Sequence, residues 1–404
     1  MANTLKFGNG EWYGKKDTIL AYNDENSNYK PLPFDFSRAS KATVVNKDGL
    51  IETVGSGIPR IDYKDDSKGA LLLEPSRFNG ITYSQNFDGT NMINSAIITE
   101  FNTTETLSPE GINNATKLTA NSSFQRYSFF PVIGDNIDIS VSVFAKKGSA
   151  SVFQILVIDK SSQSYNATFD LENGTSSSDG KIEDYGNGWY RCSVTKSTST
   201  GAGTVQVRPF THAAGLENGW TGSNYIYGFG AQYEVGSYAT SYIPTQGSAV
   251  TRVADVCNNG GNEQVINSTE GVLYAELSGF SNDLVRYSIS DGSNSNNIYI
   301  ELSSSSVSAV GRLSAVNQFS IYSSQTITNY NKIAIKYKQN DFALWINGVE
   351  VGTDTSGNTY PANTLDSFQF NRGDGGILFY GETRDIKLYN TALTDQELAA
   401  LTTI

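Results

Sequence analysis

Apolar and polar residues alternate with a period of two through much of this chain, the spacing a half-buried strand needs because successive side chains point to opposite faces. The clearest case lies near the C-terminus, where Ile333, Ile335 and Tyr337 alternate with Lys332, Lys336 and Lys338. Phe342-Ala-Leu-Trp-Ile repeats the pattern and ends in Asn347-Gly348, a dipeptide that readily takes positive φ in a hairpin turn. Arg384-Asp-Ile-Lys-Leu-Tyr-Asn reads as a third strand. Thr394-Asp-Gln-Glu397 is then a capping box, opening one short helix through Leu398 and Leu401.

The same alternation runs upstream. Ile137-Asp-Ile-Ser-Val-Ser-Val turns at Lys146-Lys-Gly148 into Val152-Phe-Gln-Ile-Leu-Val-Ile, and Trp189-Tyr-Arg-Cys-Ser-Val, Thr204-Val-Gln-Val-Arg and Tyr225-Ile-Tyr-Gly-Phe continue it. This spacing predicts a two-sheet jelly roll over residues 76–256. Residues 257–270, Gly- and Asn-rich and without periodicity, read as a linker, and a second β-sandwich follows over 271–404. Residues 1–75 read as an extended, turn-rich segment with little core of its own, its ladder pairing blocked at Pro31-Leu-Pro33. Such a segment buries its apolar residues on a neighbouring domain or subunit. The predicted fold class is all-β.

Composition agrees and narrows the partners. The 20 Phe, 23 Tyr and 38 Gly favour short strands joined by turns. A net charge of -12 argues against nucleic acid, and against polyanionic glycans, because neutralising phosphate or sulfate needs clustered Lys and Arg. No apolar run approaches the roughly 18 residues of a membrane span. The opening Met1-Ala-Asn-Thr-Leu-Lys-Phe-Gly lacks the apolar core of a signal peptide, so synthesis and folding in a cytoplasm are expected. Cys192 and Cys257 make no disulfide framework, and Cys192, alternating with Tyr190 and Val194, is expected as a buried reduced thiol.

Several strings carry resemblances. FALWINGVEVG (342–352) and GETRDIKLYNTALTDQELAAL (381–401) resemble the C-terminal half of concanavalin A-like, or laminin G-like, jelly rolls, which implies glycan binding. YGNGWYRCSVT (185–195) and YGFGAQYEVGSYATSYIPT (227–245) resemble the carbohydrate-binding-module-like jelly rolls of phage fibres. FGNGEWYGKKDTILAYND (7–24), PLPFDFSRASKATVVNKDGLIE (31–52), IPRIDY (58–63) and GALLLEPSRFN (69–79) resemble, in order, the N-terminal part of tailed-bacteriophage fibre and spike proteins. That resemblance implies a virion component, tail or capsid, docked to other virion proteins through its first 75 residues. Lysis also reconciles an adhesive-looking β-protein with the lack of an export signal. A homo-oligomer is expected, a trimer being common in fibres, although no heptad pattern announces one.

Candidate chemistry is sparse. His212, the sole histidine, has no Gly-x-Ser-x-Gly elbow to serve, and with two distant cysteines it makes no zinc site. Glycoside hydrolysis wants two carboxylates brought close together, and no Glu-x-Asp-x-Glu strand is present; Asp24-Glu25, Asp65-Asp66 and Asp395-x-Glu397 fall in turns or at a helix start. Carboxylates from different strands stay open. The expectation is a non-enzymatic protein. Sugar recognition rests on aromatic rings and amides, so Trp220, in a loop, Trp345, on the face opposite Phe342 and Leu344, and Asn347 at the turn are the candidate glycan-binding residues. Trp189 is expected in the core. The resemblance to laminin G-like domains implies a calcium ion at the sandwich rim, with Asp283, Asp291, Asn294 and Asn297 as candidate oxygen donors, although turn formation is the more ordinary reason for the same residues. Asn-x-Ser/Thr sequons, as at Asn102 and Asn267, follow from composition.

Overall fold

The computed structural model describes residues 5–23, 28–85, 87, 92–95, 97–121, 126–129, 138–159, 161–197, 206–211, 223–281, 283–303 and 305–404. Regular structure there is β, apart from one helix at Asp395–Thr402. The chain divides into two compact units: Met1–Lys41, Val54–Pro75 and Ala254–Ile404 form the first, and Ala42–Thr53 with Ser76–Val253 the second.

The first unit is a sandwich of a 12-stranded and a 5-stranded sheet. Strand Gly381–Tyr389 is central to the larger sheet, held between Leu5–Gly8 and Glu270–Gly279. Leu5 lies opposite Leu388 and Phe7 opposite Ile386, while Leu273 and Ala275 meet the same two residues from the other side. These inward residues close on Tyr287, Ile298, Ile300 and Val307 of the smaller sheet in one continuous core. Each large apolar side chain so buried contributes about 1.5–3 kcal/mol.

Residues 1–75 therefore do not form a segment apart from the sandwiches. Leu5–Gly8 and Ala70–Leu73 pair directly with Gly381–Tyr389, and Asn28–Ser37 pairs with Thr18–Asn23 and Val256–Asn258. The prolines are accommodated rather than avoided. Ile19 lies opposite Phe34 and Ala21 opposite Lys30, so the ladder skips residues 31–33, where Pro31 and Pro33 offer no N–H. Residues 257–270, expected as a linker, are also built in. Cys257 sits in a paired strand, and Val265 and Ile266 are buried in the core.

A buried ion network fastens these distant pieces of the first unit. Asp255 accepts from Arg38 Nη1 at 3.0 Å, from the Glu74 backbone N–H at 2.9 Å and from Arg60, and Arg60 also meets Glu74 at 2.6 Å. Burial alone pulls the Arg60 pKa down, but Glu74 and Asp255 outweigh it and hold the guanidinium above its ordinary value. Arg38, Arg60 and Glu74 all come from the first 75 residues.

The second unit is a sandwich of two six-stranded sheets. Val141 faces Val194 and Val143 faces Cys192 in one sheet, Ile155 faces Ala167 in the other, and their side chains share a core. Burial pushes the Cys192 thiol well up, so it stays protonated. Trp189 lies with Phe144, Phe229 and Tyr242 in a second cluster and donates its indole N–H to the Leu107 carbonyl at 2.8 Å. Val45 and Ile51 join that cluster, which is why residues 42–53 belong to this unit.

Candidate functional site

Cross-strand register on the outer face of the larger sheet generates the site. Inward positions of Gly381–Tyr389, Glu270–Gly279 and Asn331–Lys338 are mainly apolar, and the outward positions form rows: Asp385 opposite Glu276 opposite Lys332, and Lys387 opposite Tyr274 opposite Ala334. Part of this face is covered. The C-terminal helix, capped by Thr394 and Glu397, packs Leu398 with Ala334, Ala343, Trp345 and Tyr389. Beyond the helix the charged row is left in a cleft of about 370 Å³, walled on the other side by Asn9 and the turn at Asp66–Lys68.

Two local irregularities shape the cleft. Glu276 pairs with Asp385 but Leu277 with Thr383, so the register skips Arg384 and brings it into the same cleft as its neighbour Asp385. Gly8 has φ +88°, and a Cβ there would lie 2.3 Å from the Arg384 carbonyl. Only glycine lets the chain turn so closely that Asn9 N–H bonds that carbonyl at 2.7 Å.

The charges are arranged asymmetrically. Arg384 lies 3.2 Å from Asp66 and 3.6 Å from Glu276, and its guanidinium stacks 3.5 Å from the centre of the Tyr330 ring. The Tyr330 hydroxyl donates in turn to Glu382. Lys387 binds Asp385 Oδ2 at 2.5 Å. Asp385 is 4% exposed, and its Oδ1 is buried without a hydrogen-bond partner among the described residues. Burial raises the Asp385 pKa, against the pull of Lys387, Lys6 and Lys332. Tyr274 stays protonated because burial, with Asp385 and Glu276 near it, raises its pKa. Lys68 donates to Asn9 Oδ1 at 2.8 Å and Lys332 to the Thr403 carbonyl at 2.9 Å. A second, larger hollow of about 560 Å³ lies at Glu270, Lys338 and Tyr360. Its charges pair at 3.2 Å and Tyr360 is buried.

The residues expected from sequence fall elsewhere. Trp345 does face outward, but it is 8% exposed beneath the helix and so lines no open surface. Asn347 holds the hairpin turn at φ +52°, accepting from Lys332 N–H at 3.0 Å and donating to Asn331 at 2.9 Å. Trp220 and His212 lie outside the described residues. Asp291 accepts from the Ser293 N–H and hydroxyl and from Asn296, and Asp283 accepts from the Ser281 hydroxyl. Asn297 donates to the Arg372 carbonyl and lies 3.5 Å from Asn294 Oδ1. The carboxylate oxygens of Asp291 thus accept from N–H and O–H donors of neighbouring residues, while Asn297 Oδ1 is buried without a hydrogen-bond partner among the described residues. Among the described residues no group of three or more His, Cys, Asp or Glu is placed to hold a metal.

The sequence reading missed Glu276, Arg384, Asp385 and Lys387. Glu276 lies on one strand and Arg384, Asp385 and Lys387 on another, where polar outward positions are a pattern that a plain solvated face produces equally well and the skip at Arg384 leaves no sequence signal. Of the carboxylates weighed earlier, Asp66 does reach the cleft, while Asp395 and Glu397 occupy the helix start as expected.

No protein-family model matches this chain, and a search of curated proteins finds no match either. Among solved structures it is similar to the CBM40 of Ruminococcus gnavus IT-sialidase bound to alpha2,3 sialyllactose, at 16% identity over 33% of this chain and 83% of that one, with a TM-score of 0.30. It is similar to a SAP-like pentraxin from Limulus polyphemus at 13% identity over 33% of this chain and 70% of that one, TM-score 0.28. Likeness to domains LG4-5 of the mouse laminin alpha1 chain spans 68% of this chain and 90% of that one, at 11% identity and a TM-score of 0.24.

Proposed function

We propose that this protein is a non-enzymatic, lectin-like component of a phage particle that binds glycans through the cleft on the outer face of its first unit. The observation that carries the reading is the mixed lining of that cleft. Ammonium and guanidinium donors stand beside a buried carboxylate oxygen that still lacks a donor. A sugar hydroxyl donates and accepts at once, so a polyhydroxylated ligand suits such a wall on a rigid sheet. The virion assignment rests on the resemblance of the strings between residues 7 and 79 to fibre and spike proteins. On this reading the part built from residues 1–75 meets other virion proteins, copies assemble as a homo-oligomer, and many weak sites together give avidity for host or mucosal glycans. A glycan array probed with the intact chain tests binding; no retained sugar would remove it. Immunogold labelling of purified particles tests location.

A second reading, a polysaccharide-degrading spike, is favoured by one observation. Asp385 and Glu276 lie directly opposite on adjacent strands, and the Asp385 pKa is raised by burial, as a general acid requires. Release of reducing sugar from capsule, lost in Asp385→Asn, would establish it in place of simple binding.

A further inference from the structure

We infer that the cleft selects a sugar that carries a carboxylate, an inference that rests on the glycan-binding reading and narrows it. The whole chain bears a net charge of -12, yet the cleft is lined by four cationic groups against three anionic ones. The pairing inside is uneven. Arg384 is shared between Asp66 and Glu276, and Lys387 is committed to Asp385. Lys68 and Lys332 are left with neutral oxygens, the Asn9 amide and the Thr403 carbonyl. An ammonium has three donors, so each keeps two for a ligand.

The unsatisfied groups therefore come in two kinds, one acceptor, Asp385 Oδ1, and several donors, the two lysines and the buried Arg384 Nε. Asp385 Oδ1 wants a hydroxyl donor, and the two lysines want an anion. A neutral sugar answers the first alone. A pyranose with both hydroxyls and a carboxylate answers both, and its single negative charge offsets the cleft's excess of one cation. A sulfate ester fits less well. A sulfate oxygen is less basic than a carboxylate oxygen and accepts more weakly from the two ammoniums, while Arg384 lies 3.2 Å from Asp66 and 3.6 Å from Glu276 with its Nε buried and without a hydrogen-bond partner among the described residues. The global charge still repels long polyanions, so recognition is of one or a few acidic residues.

Isothermal titration of the intact chain tests this with trigalacturonate, its neutral methyl ester, 3′-sialyllactose and a sulfated disaccharide. Binding of either carboxylated sugar at least about ten-fold tighter than the ester is expected, and which of the two binds distinguishes uronic from sialic acid sources. Lys332→Gln and Lys68→Gln should each weaken the acid about ten-fold and the ester by clearly less, so that the preference for acid over ester falls, and Asp385→Asn should weaken both. Melting curves on Lys68→Gln, a surface change, guard against misfolding. Equal binding of acid and ester, tighter binding of the sulfated sugar, or unchanged affinity in both lysine variants would overturn the inference. Neutral glycans binding where the acids do not would sink it yet leave the glycan-binding reading standing. Silence from every sugar would remove both.

Discussion

Asp255 sits between two buried guanidiniums, and replacing it with alanine tests whether the N-terminal strings are structural parts of the first unit. Its Oδ1 takes Arg38 at 3.0 Å, and its Oδ2 takes Arg60 and, at 2.9 Å, the Glu74 N–H. Asp255→Ala leaves Glu74 to face both arginines in a region almost closed to water. Removing one partner from a buried network costs about 3–5 kcal/mol, because a charge remains there without compensation. For a unit of roughly 200 residues, at about 2–4 °C per kcal/mol, its melting transition should fall by about 6–20 °C. Differential scanning calorimetry of the intact chain reads this as a shift of one transition, with the second unit's unmoved. Asp255→Asn keeps the size and removes the charge, so it should behave more like alanine than like the parent. A fall of less than about 1 °C in both variants would show that the network holds nothing together.

Three further outcomes follow from particular contacts. Burial and then Asp62 raise the Glu382 pKa from 4.5 to about 7, so its contribution to stability is complete below 4.5 and disappears as pH rises through about 7; Glu382→Gln should flatten the urea-unfolding profile across that window, and an unchanged slope would contradict the assignment. Trp345→Ala should cost about 3–5 kcal/mol by chemical denaturation, because the indole is packed under the helix; a fully stable variant with weakened sugar binding would restore it as a ligand residue. Dialysis against chelator should leave both melting transitions in place, since donors of this protein already occupy Asp291; a calcium-dependent rise would overturn that reading.

Much of the architecture was legible because local signals agreed with the final packing. The strand at Asn331–Lys338, the Asn347-Gly348 turn and the capping box of Thr394 and Glu397 all stand where period, turn chemistry and capping put them. The first strands were not, because their partners lie hundreds of residues away: nothing near Phe7 announces Ile386. Pro31 and Pro33 do interrupt the ladder, as expected, but it skips only residues 31–33 and then resumes. Trp345 shows the limit of alternation. It correctly separates two faces, but whether the outward face meets water depends on a helix some fifty residues further on. The cleft itself needed register, as Asp385, Glu276 and Lys332 come from three strands and become neighbours only across the sheet.

The most direct measurement is a crystal structure of the chain soaked with its tightest glycan-array hit. A sugar is expected in the cleft beyond the C-terminal helix, with one hydroxyl hydrogen-bonded to Asp385 Oδ1 and the ring between Lys68 and Lys332. A sugar seated instead in the hollow at Glu270 and Tyr360, or on the second unit, with the cleft holding only water, would contradict it.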